Sequence, residues 1–270
     1  MDNVVDFMIE KINSLDDRSQ KLLRIFACIG NTFDLEKLAI FYGKTIETIY
    51  PSLLSLIDLN LIIPLSKNYQ FKIPSGSDLL DPQYAPQARK IQFQFSHDRV
   101  QQAAYSLWNQ REEKITHLRI GKSLYNRYGI PETDHELFDL VSHLNHGLEF
   151  INKASFFTQK LAELNLIAGQ RAKRSMAISA ALNYIEIGLS CLPENTWQQN
   201  HDFCLEFYQE LAEIQYLNGQ HHQCRQTIAI LFNQAQSLAD KITAFSLLKN
   251  LLVTLGQNYE EILAIGLDLM

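Results

Sequence analysis

The sequence predicts a mainly α-helical protein, in which an N-terminal domain with a small β-sheet is followed by an array of helical hairpins. Three observations support this fold class. Apolar residues recur at helical spacing through most of the 270 residues. Runs in which apolar and polar residues alternate, as they do in strands, are short and end before residue 97. From residue 97 onward, loop signals separate one helical segment from the next.

The N-terminal elements follow from local patterns. A lead-in helix over 3–13 is amphipathic, and the capping residues of Ser14-Leu15-Asp16-Asp17 interrupt the chain after it. The elements that follow are a helix over 17–29, a helix from Asp34 to Tyr42 that Asp34 caps, and a helix over 45–59 that Thr45 caps. Three short strands are then predicted near 61–65, 69–73 and 91–95. Three helices followed by a small sheet form a winged helix, so residues 1–108 are predicted to be a winged-helix domain with a small β-wing.

The rest of the chain is predicted to form helical hairpins. Residues 109–160 are predicted to be connecting hairpins, and residues 161–270 degenerate TPR-like repeats whose later turns lie at Gly219 and Gly256. Small residues occupy positions at which two helices of the 34-residue template cross closely: Gly169, Ala181 and Gly188. The aromatic residues of these helices, such as Phe156 and Phe207, are expected to lie mostly in the core. An array of this kind leaves a concave face that suits a protein or peptide ligand.

The most informative segment is QFQFSHDRVQQAAY, residues 92–105. It begins with strand alternation and changes to helical spacing at His97 and Asp98. The segment resembles the F-x-H-D-R-[VI]-Q-Q-A-A-Y signature of the regulatory arm of bacterial multidomain kinases, in which a STAND-type AAA ATPase is followed by a winged helix and helical repeats. Further segments resemble the same family in the same order: residues 27–35, 61–65, 117–121 and 163–172.

This resemblance to sensor serine/threonine or histidine kinases implies a non-catalytic, regulatory segment of a larger signalling protein. The winged helix would dock on the neighbouring ATPase domain, the helical repeats would sense a protein or peptide partner, and a kinase elsewhere in the parent would give the output. ATP or ADP would be held only by the ATPase domain, so this chain would bind no cofactor itself. The alternative is the arm of a STAND-type transcription regulator of the maltose-activator kind, which also joins a winged helix to helical repeats.

The strand–helix junction is also similar to the MHD motif of STAND proteins such as plant disease-resistance receptors and apoptosis ATPases. In those proteins the histidine reaches the phosphates of ADP in the ATPase domain. The resemblance therefore assigns nucleotide sensing in cis to His97, Asp98 and Arg99, with Asp98 capping the new helix or holding the imidazole. The alternative is that His97 is an N-cap neighbour with a packing role.

A third interpretation makes the chain a phosphotransfer protein through His97. Ser96-His97-Asp98-Arg99 resembles the phosphoacceptor box of histidine kinases, but Gln101-Gln102 replaces the Thr-Pro of that box. The sequence has no G-x-x-x-x-G-K-[ST] loop, no kinase or G-x-S-x-G motif and no paired-cysteine metal spacing. We therefore expect a protein that is not an enzyme and has no catalytic residues.

Composition restricts the partners. The net charge is −6, and Lys44 is the only basic residue near the helix over 45–59, so nucleic acid is not an expected partner. The pair His143 and His146 lacks a third ligand nearby in sequence, so no metal site is expected. No run of about 18 apolar residues exists and the N-terminus is acidic, which together predict a cytoplasmic protein that does not enter membranes.

Overall fold

The computed structural model describes residues 3–65, 91–152, 155–257 and 259–269. These residues are mainly helical, as predicted, and the chain divides into two compact units, Met1–Gly129 and Ile130–Met270. The predicted strand over 69–73 lies outside the described residues.

The first unit contains the small sheet. Its elements are α1 (Asn3–Asn13), α2 (Asp17–Ile29), β1 (Thr32–Asp34), α3 (Leu35–Tyr42), α4 (Ile46–Asp58), β2 (Ile62–Pro64), β3 (Gln92–Phe95), α5 (Asp98–Ser106) and α6 (Gln110–Tyr128). The four helices predicted before residue 60 are confirmed. Strand β1 was not predicted, because three residues are too few to show an alternating pattern.

The three strands form an antiparallel sheet in the order β1-β3-β2. The sheet packs through aromatic side chains: Phe33 of β1 lies opposite Phe93 of β3, and the ring of Phe26 stacks on Phe33 at a centroid distance of 3.8 Å. All three side chains are almost fully buried. Burying such rings supplies much of the hydrophobic stabilisation of this unit.

Capping side chains fix where the helices of the first unit begin. The carboxylate of Asp16 accepts hydrogen bonds from the backbone N–H groups of Arg18 and Ser19, and that of Asp34 accepts one from Lys37 at 2.7 Å. The cap of α2 is therefore Asp16, one of the capping residues in the predicted break over 14–17. Thr45 occupies the N-cap position of α4 but makes no side-chain capping hydrogen bond.

Helix α6 belongs to the first compact unit, whereas the sequence placed the end of the first domain after residue 108. Its Ile120 is fully buried in a cluster with Ile25, Cys28 and Phe41. Just before α6, the indole Nε1–H of Trp108 donates to the backbone oxygen of Arg24 at 3.0 Å. These long-range contacts bring α6 into the first unit, and the local loop signal at Asn109 gave no sign of them.

The second unit is a chain of helices. Its elements are α7 (Asp134–His146), a 3₁₀ turn (Leu148–Phe150), α8 (Phe156–Arg174), α9 (Ile178–Ser190), α10 (Thr196–Gln199), α11 (His201–Leu217), α12 (His221–Gln234), α13 (Leu238–Thr254) and α14 (Tyr259–Leu269). Three hairpins follow one another, α8 with α9, α11 with α12 and α13 with α14. Adjacent hairpins also pack together, as in a repeat array.

The three hairpins share one turn geometry. The residue at the turn has a left-handed backbone in each, with φ of 60° at Met176, 73° at Gly219 and 78° at Gly256. The residue after it donates its N–H back into the first helix: Ala177 to Ala172, Gln220 to Gln215 and Gln257 to Leu252. The predicted turns at Gly219 and Gly256 are thus confirmed. The first hairpin turns at Met176, a residue type that gives no turn signal in a sequence.

We expect Met176→Gly to stabilise the second unit by about 0.5–1 kcal/mol. A non-glycine residue in the left-handed region costs roughly 1–2 kcal/mol, and the greater chain entropy of glycine offsets part of the gain. The Met176 side chain is 76% exposed, so its removal sacrifices little packing. Thermal melting followed by circular dichroism measures the change. The matched control is Gly219→Met in the equivalent turn, which should lower the melting temperature; a lower melting temperature for Met176→Gly would contradict the assignment.

Candidate functional site

The junction between β3 and α5 is held firmly on both sides. Phe93 and Phe95, at the end of the strand, are buried in the core, as are Val100 and Ala103 in the first turns of the helix. The predicted change from strand to helix at His97 is therefore confirmed, and the four residues between Phe95 and Val100 have little conformational freedom.

His97 is the N-cap of α5. Its backbone is extended, with φ of −157° and ψ of 146°, and its Nδ1 accepts the backbone N–H of Arg99 at 3.0 Å. An imidazole nitrogen that accepts a hydrogen bond carries no proton, so the neutral ring bears its proton on Nε2. The side chain is exposed, and Nε2 makes no hydrogen bond within the described part of the chain. His97 therefore has one exposed N–H donor.

Asp98 does not have the role that the sequence suggested for it. It lies in the first turn of α5 and is exposed, whereas the capping hydrogen bond is made by His97 itself. A carboxylate in the first turn still favours the helix through the helix dipole. Arg99 is half-buried, and its guanidinium donates to the side-chain oxygen of Gln102 at 2.9 Å. The three predicted site residues thus stand next to one another, and His97 alone contributes both a cap and an outward donor.

The small residues predicted at helix crossings of the second unit lie where two helices approach closely. A Cβ atom added to Gly169 would lie 2.6 Å from Ile185, and one added to Gly188 would lie 2.7 Å from the ring of Phe207. Ala181 is fully buried beside them. The prediction that these positions are small because two helices cross is confirmed.

A groove of about 430 Å³ runs between α8 and α11, the first helices of two adjacent hairpins. Apolar side chains in it include Phe156, which is 75% exposed and so does not belong to the core as the sequence suggested. Three amides also line it: Gln159, Gln170 and Asn200. The groove has the mixture of apolar surface and hydrogen-bonding groups that ligand sites require.

Charged side chains join the same two helices next to this groove. Lys173 of α8 lies 2.6 Å from Glu210 and 2.5 Å from Glu213 of α11, and Gln170 donates to Glu206 at 2.8 Å. Burial lowers the pKa of Lys173, but its hydrogen bonds to the two carboxylates outweigh that effect and raise the pKa above its ordinary value. The lysine therefore stays charged and links the two hairpins.

No protein-family profile matches this chain. Hybrid signal transduction histidine kinase G of Dictyostelium discoideum is 26% identical over 256 residues, which cover 81% of this chain and 7% of that kinase. The chain is therefore similar to a small segment of a very long signalling protein.

The chain also shows similarity to one solved structure, that of a Signal Transduction ATPase with Numerous Domains (STAND) protein with a tetratricopeptide repeat sensor from Pyrococcus horikoshii. It is 11% identical, and the match covers 96% of this chain and 45% of that protein with a TM-score of 0.33. Among the described residues, no helix combines the length and apolar character needed to cross a bilayer.

Proposed function

We propose that this chain is a non-catalytic regulatory segment of a larger signal-transduction kinase. Its first unit would dock on a STAND-type ATPase domain, and its helical hairpins would bind a protein or peptide partner. The observation that carries the proposal is the similarity to a hybrid histidine kinase, which extends over 81% of this chain and only 7% of that kinase. A segment of this size within such a protein fits a regulatory module better than an independent enzyme.

The first unit is proposed to be a winged helix. The order α2, β1, α3, α4, β2, β3 and the antiparallel sheet order β1-β3-β2 support this assignment. Helix α4, at the position that reads DNA in other winged helices, carries no lysine or arginine. A protein-docking role for this unit is consistent with that composition.

The geometry of His97 supports a nucleotide-sensing role in the parent protein. The capping bond to Arg99 fixes the ring and leaves the Nε2–H donor exposed. A donor fixed in this way at a helix N-terminus suits a phosphate oxygen of ADP in a docked ATPase domain, because both the N–H and the helix dipole favour negative charge. Binding of ADP would then hold the segment in its resting position.

Two substitutions of His97 separate sensing from capping. Asparagine is a good N-cap but has no imidazole Nε2–H, so His97→Asn should leave the melting temperature of the isolated chain nearly unchanged. In the full-length kinase it should raise basal autophosphorylation about ten-fold, since a charge-assisted hydrogen bond is worth roughly 1.5–3 kcal/mol. His97→Ala loses both properties and should also cost the isolated chain about 1 kcal/mol.

Autophosphorylation of the purified parent with ADP bound, and melting of this chain, provide the two measurements. If His97 only caps α5 and does not sense nucleotide, His97→Asn should behave as the wild type in both assays. Unchanged basal output for His97→Asn, together with a destabilised His97→Ala chain, would therefore rule out nucleotide sensing and leave His97 with the local role alone.

A further inference from the structure

The first unit contains a small basic cleft that the proposed function does not use. It lies between α2, the end of α3 and α4, and has a volume of about 190 Å³. Arg18 of α2 and Lys44, just before α4, stand at its exposed rim. Leu22 and Ile49, both nearly fully buried, form part of its floor.

No described carboxylate neutralises the two cations at the rim. Neither Arg18 nor Lys44 makes a side-chain hydrogen bond or an ion pair with any described residue. Asp16, the N-cap of α2, accepts capping hydrogen bonds from Arg18 N–H, Ser19 N–H and the Ser19 hydroxyl, and it makes no ion pair with either cation, although its charge reaches Tyr42. Glu47 lies in the first turn of α4 but does not line the cleft. The cleft is therefore a positively charged site on a chain whose net charge is −6.

More positive charge lies next to the cleft. Lys21 Nζ lies 5.7 Å from the centre of the Tyr42 ring, which lines the cleft. Burial raises the pKa of the Tyr42 hydroxyl, and the positive charges of Arg18 and Arg119 oppose that rise, while the carboxylate of Asp16 adds to it. Both guanidinium groups and one carboxylate therefore lie within electrostatic range of this hydroxyl. Four cations, from helices α2 and α6 and from the turn before α4, thus lie around one small volume.

Hydroxyl groups complete the lining. Tyr42, Thr48 and Ser52 all border the cleft, and a hydroxyl can donate a hydrogen bond to an anionic oxygen. The Thr48 hydroxyl lies 3.1 Å from that of Thr45, and it remains a donor to the cleft when it accepts from Thr45. An arginine, a lysine and several hydroxyls form the donor set that proteins use for phosphate groups. The volume lies below the range of about 300–1,000 Å³ that is typical of pockets for whole small molecules, so a single phosphate with a short attached chain fits better than a nucleotide.

We infer that this cleft binds a phosphate monoester, and that its natural occupant is a phosphorylated serine or threonine side chain of a protein. The cations and hydroxyls would hold the phosphate oxygens, and the apolar floor of Leu22 and Ile49 would contact the carbon atoms next to the ester oxygen. The inference does not depend on the nucleotide-sensing role of His97.

The probe is phosphothreonine blocked at both ends by acetyl and methylamide groups, titrated into the whole 270-residue chain. Backbone amide shifts of Lys44 and Thr48 in NMR spectra report occupancy. We expect saturable binding in the roughly millimolar range or tighter, weaker binding of inorganic phosphate, which lacks the carbon chain, and no saturable shift with blocked threonine.

The variant Arg18→Gln/Lys44→Gln should weaken binding about ten-fold or more, because it removes both cations at the rim. The matched control Arg225→Gln/Lys249→Gln removes the same charge from exposed positions of the second unit and should bind as wild type. Both variants change exposed side chains, and their circular dichroism spectra check the fold.

Three results would overturn the inference. Absence of a saturable shift at Lys44 and Thr48, or equal weakening in the control variant, would show that the cleft is not a phosphate site. Equal affinity for inorganic phosphate and blocked phosphothreonine would remove the phosphorylated side chain as its occupant. Displacement of the probe by duplex DNA at lower phosphate concentration would identify a nucleic-acid surface instead.

Discussion

Gly188→Val is expected to lower the free energy of unfolding of the second unit by about 3 kcal/mol, or roughly 10 °C in melting temperature. Gly188 lies in α9 where α8 and α11 also meet. A Cβ at this position would lie 2.7 Å from Cε1 and 2.8 Å from Cζ of Phe207, and 3.1 Å from Cβ of Asn165. A new Cβ within 3.0 Å of another atom forces that neighbour to move, and neither Phe207 nor Asn165 has free space to move into.

Both neighbours are fixed in their places. Phe207 is fully buried, so its ring cannot swing into solvent. Asn165 is fully buried as well and is tied to Asn145 by two side-chain hydrogen bonds of 2.8 and 2.9 Å, and to the backbone oxygen of Leu161 by a third. Displacing this amide would leave buried polar groups without partners, which costs more than the overlap alone.

A control and a double substitution make the prediction specific. Asn183→Val, at an exposed position of the same helix, should change stability by no more than about 0.5 kcal/mol. Combining Gly188→Val with Phe207→Leu removes the ring atoms that the new Cβ meets, so the double variant should be about 1–2 kcal/mol more stable than the sum of the two single changes. Strict additivity would show that Phe207 is not the obstacle.

The same crossing explains how much of the array could be predicted from the sequence. The small residues of the repeat template lie where its two helices cross, and three residues of this chain occupy those positions: Gly169, Ala181 and Gly188. Their role in packing could therefore be predicted from the sequence. The turn at Met176 could not be predicted, because glycine and asparagine are the residues that indicate a left-handed backbone in a sequence. Met176 adopts this conformation in the connection between two packed helices.

The strand–helix junction was predictable for a different reason. Phe93 and Phe95 alternate as a strand does, and Val100 and Ala103 recur as a helix does, so the change of period at His97 was fixed by local residues alone. Which side chain caps the helix was not fixed, since His97 and Asp98 both carry acceptors. The choice depends on which backbone is extended, and the structure gives that role to His97.

The basic cleft had no sequence signal. Arg18 and Lys44 are separated by a strand and a helix, and each is an ordinary exposed cation in its own neighbourhood. Only the packing of α2 against α4 brings them to one cavity. A net charge of −6 pointed away from anionic ligands, because an average over the chain does not reveal a local concentration of positive charge.

The stability of the second unit is expected to fall on acidification through His143. The residue is 6% exposed on α7, and burial, with a smaller contribution from the charge of His146, lowers its pKa from 6.5 to about 4. In the unfolded chain the same imidazole titrates near 6.5. Between about pH 6.5 and pH 4 the unfolded state therefore binds a proton that the folded state does not.

The direction and magnitude of this change in the free energy of unfolding follow from proton linkage. Stability rises with pH wherever the unfolded state holds more protons, so this contribution is complete above about pH 6.5 and is lost as the pH falls toward 4. A shift of this size corresponds to about 3 kcal/mol at most, at 1.36 kcal/mol for each pKa unit. This lowered pKa could not be predicted from the sequence, since a histidine pair on a helix has the same spacing whether it is buried or exposed.

Urea unfolding of the wild type and of His143→Gln at pH 7.5 and pH 4.5 tests this expectation. Glutamine cannot take up the proton, so the variant should lose about 2–3 kcal/mol less than the wild type between these two pH values. The control His222→Gln changes an exposed histidine and should leave the wild-type pH dependence intact. If the wild type and His143→Gln lost the same free energy of unfolding between the two pH values, His143 would have to be protonated in the folded state. The packing of α7 against α8 would then have to accommodate a buried charge.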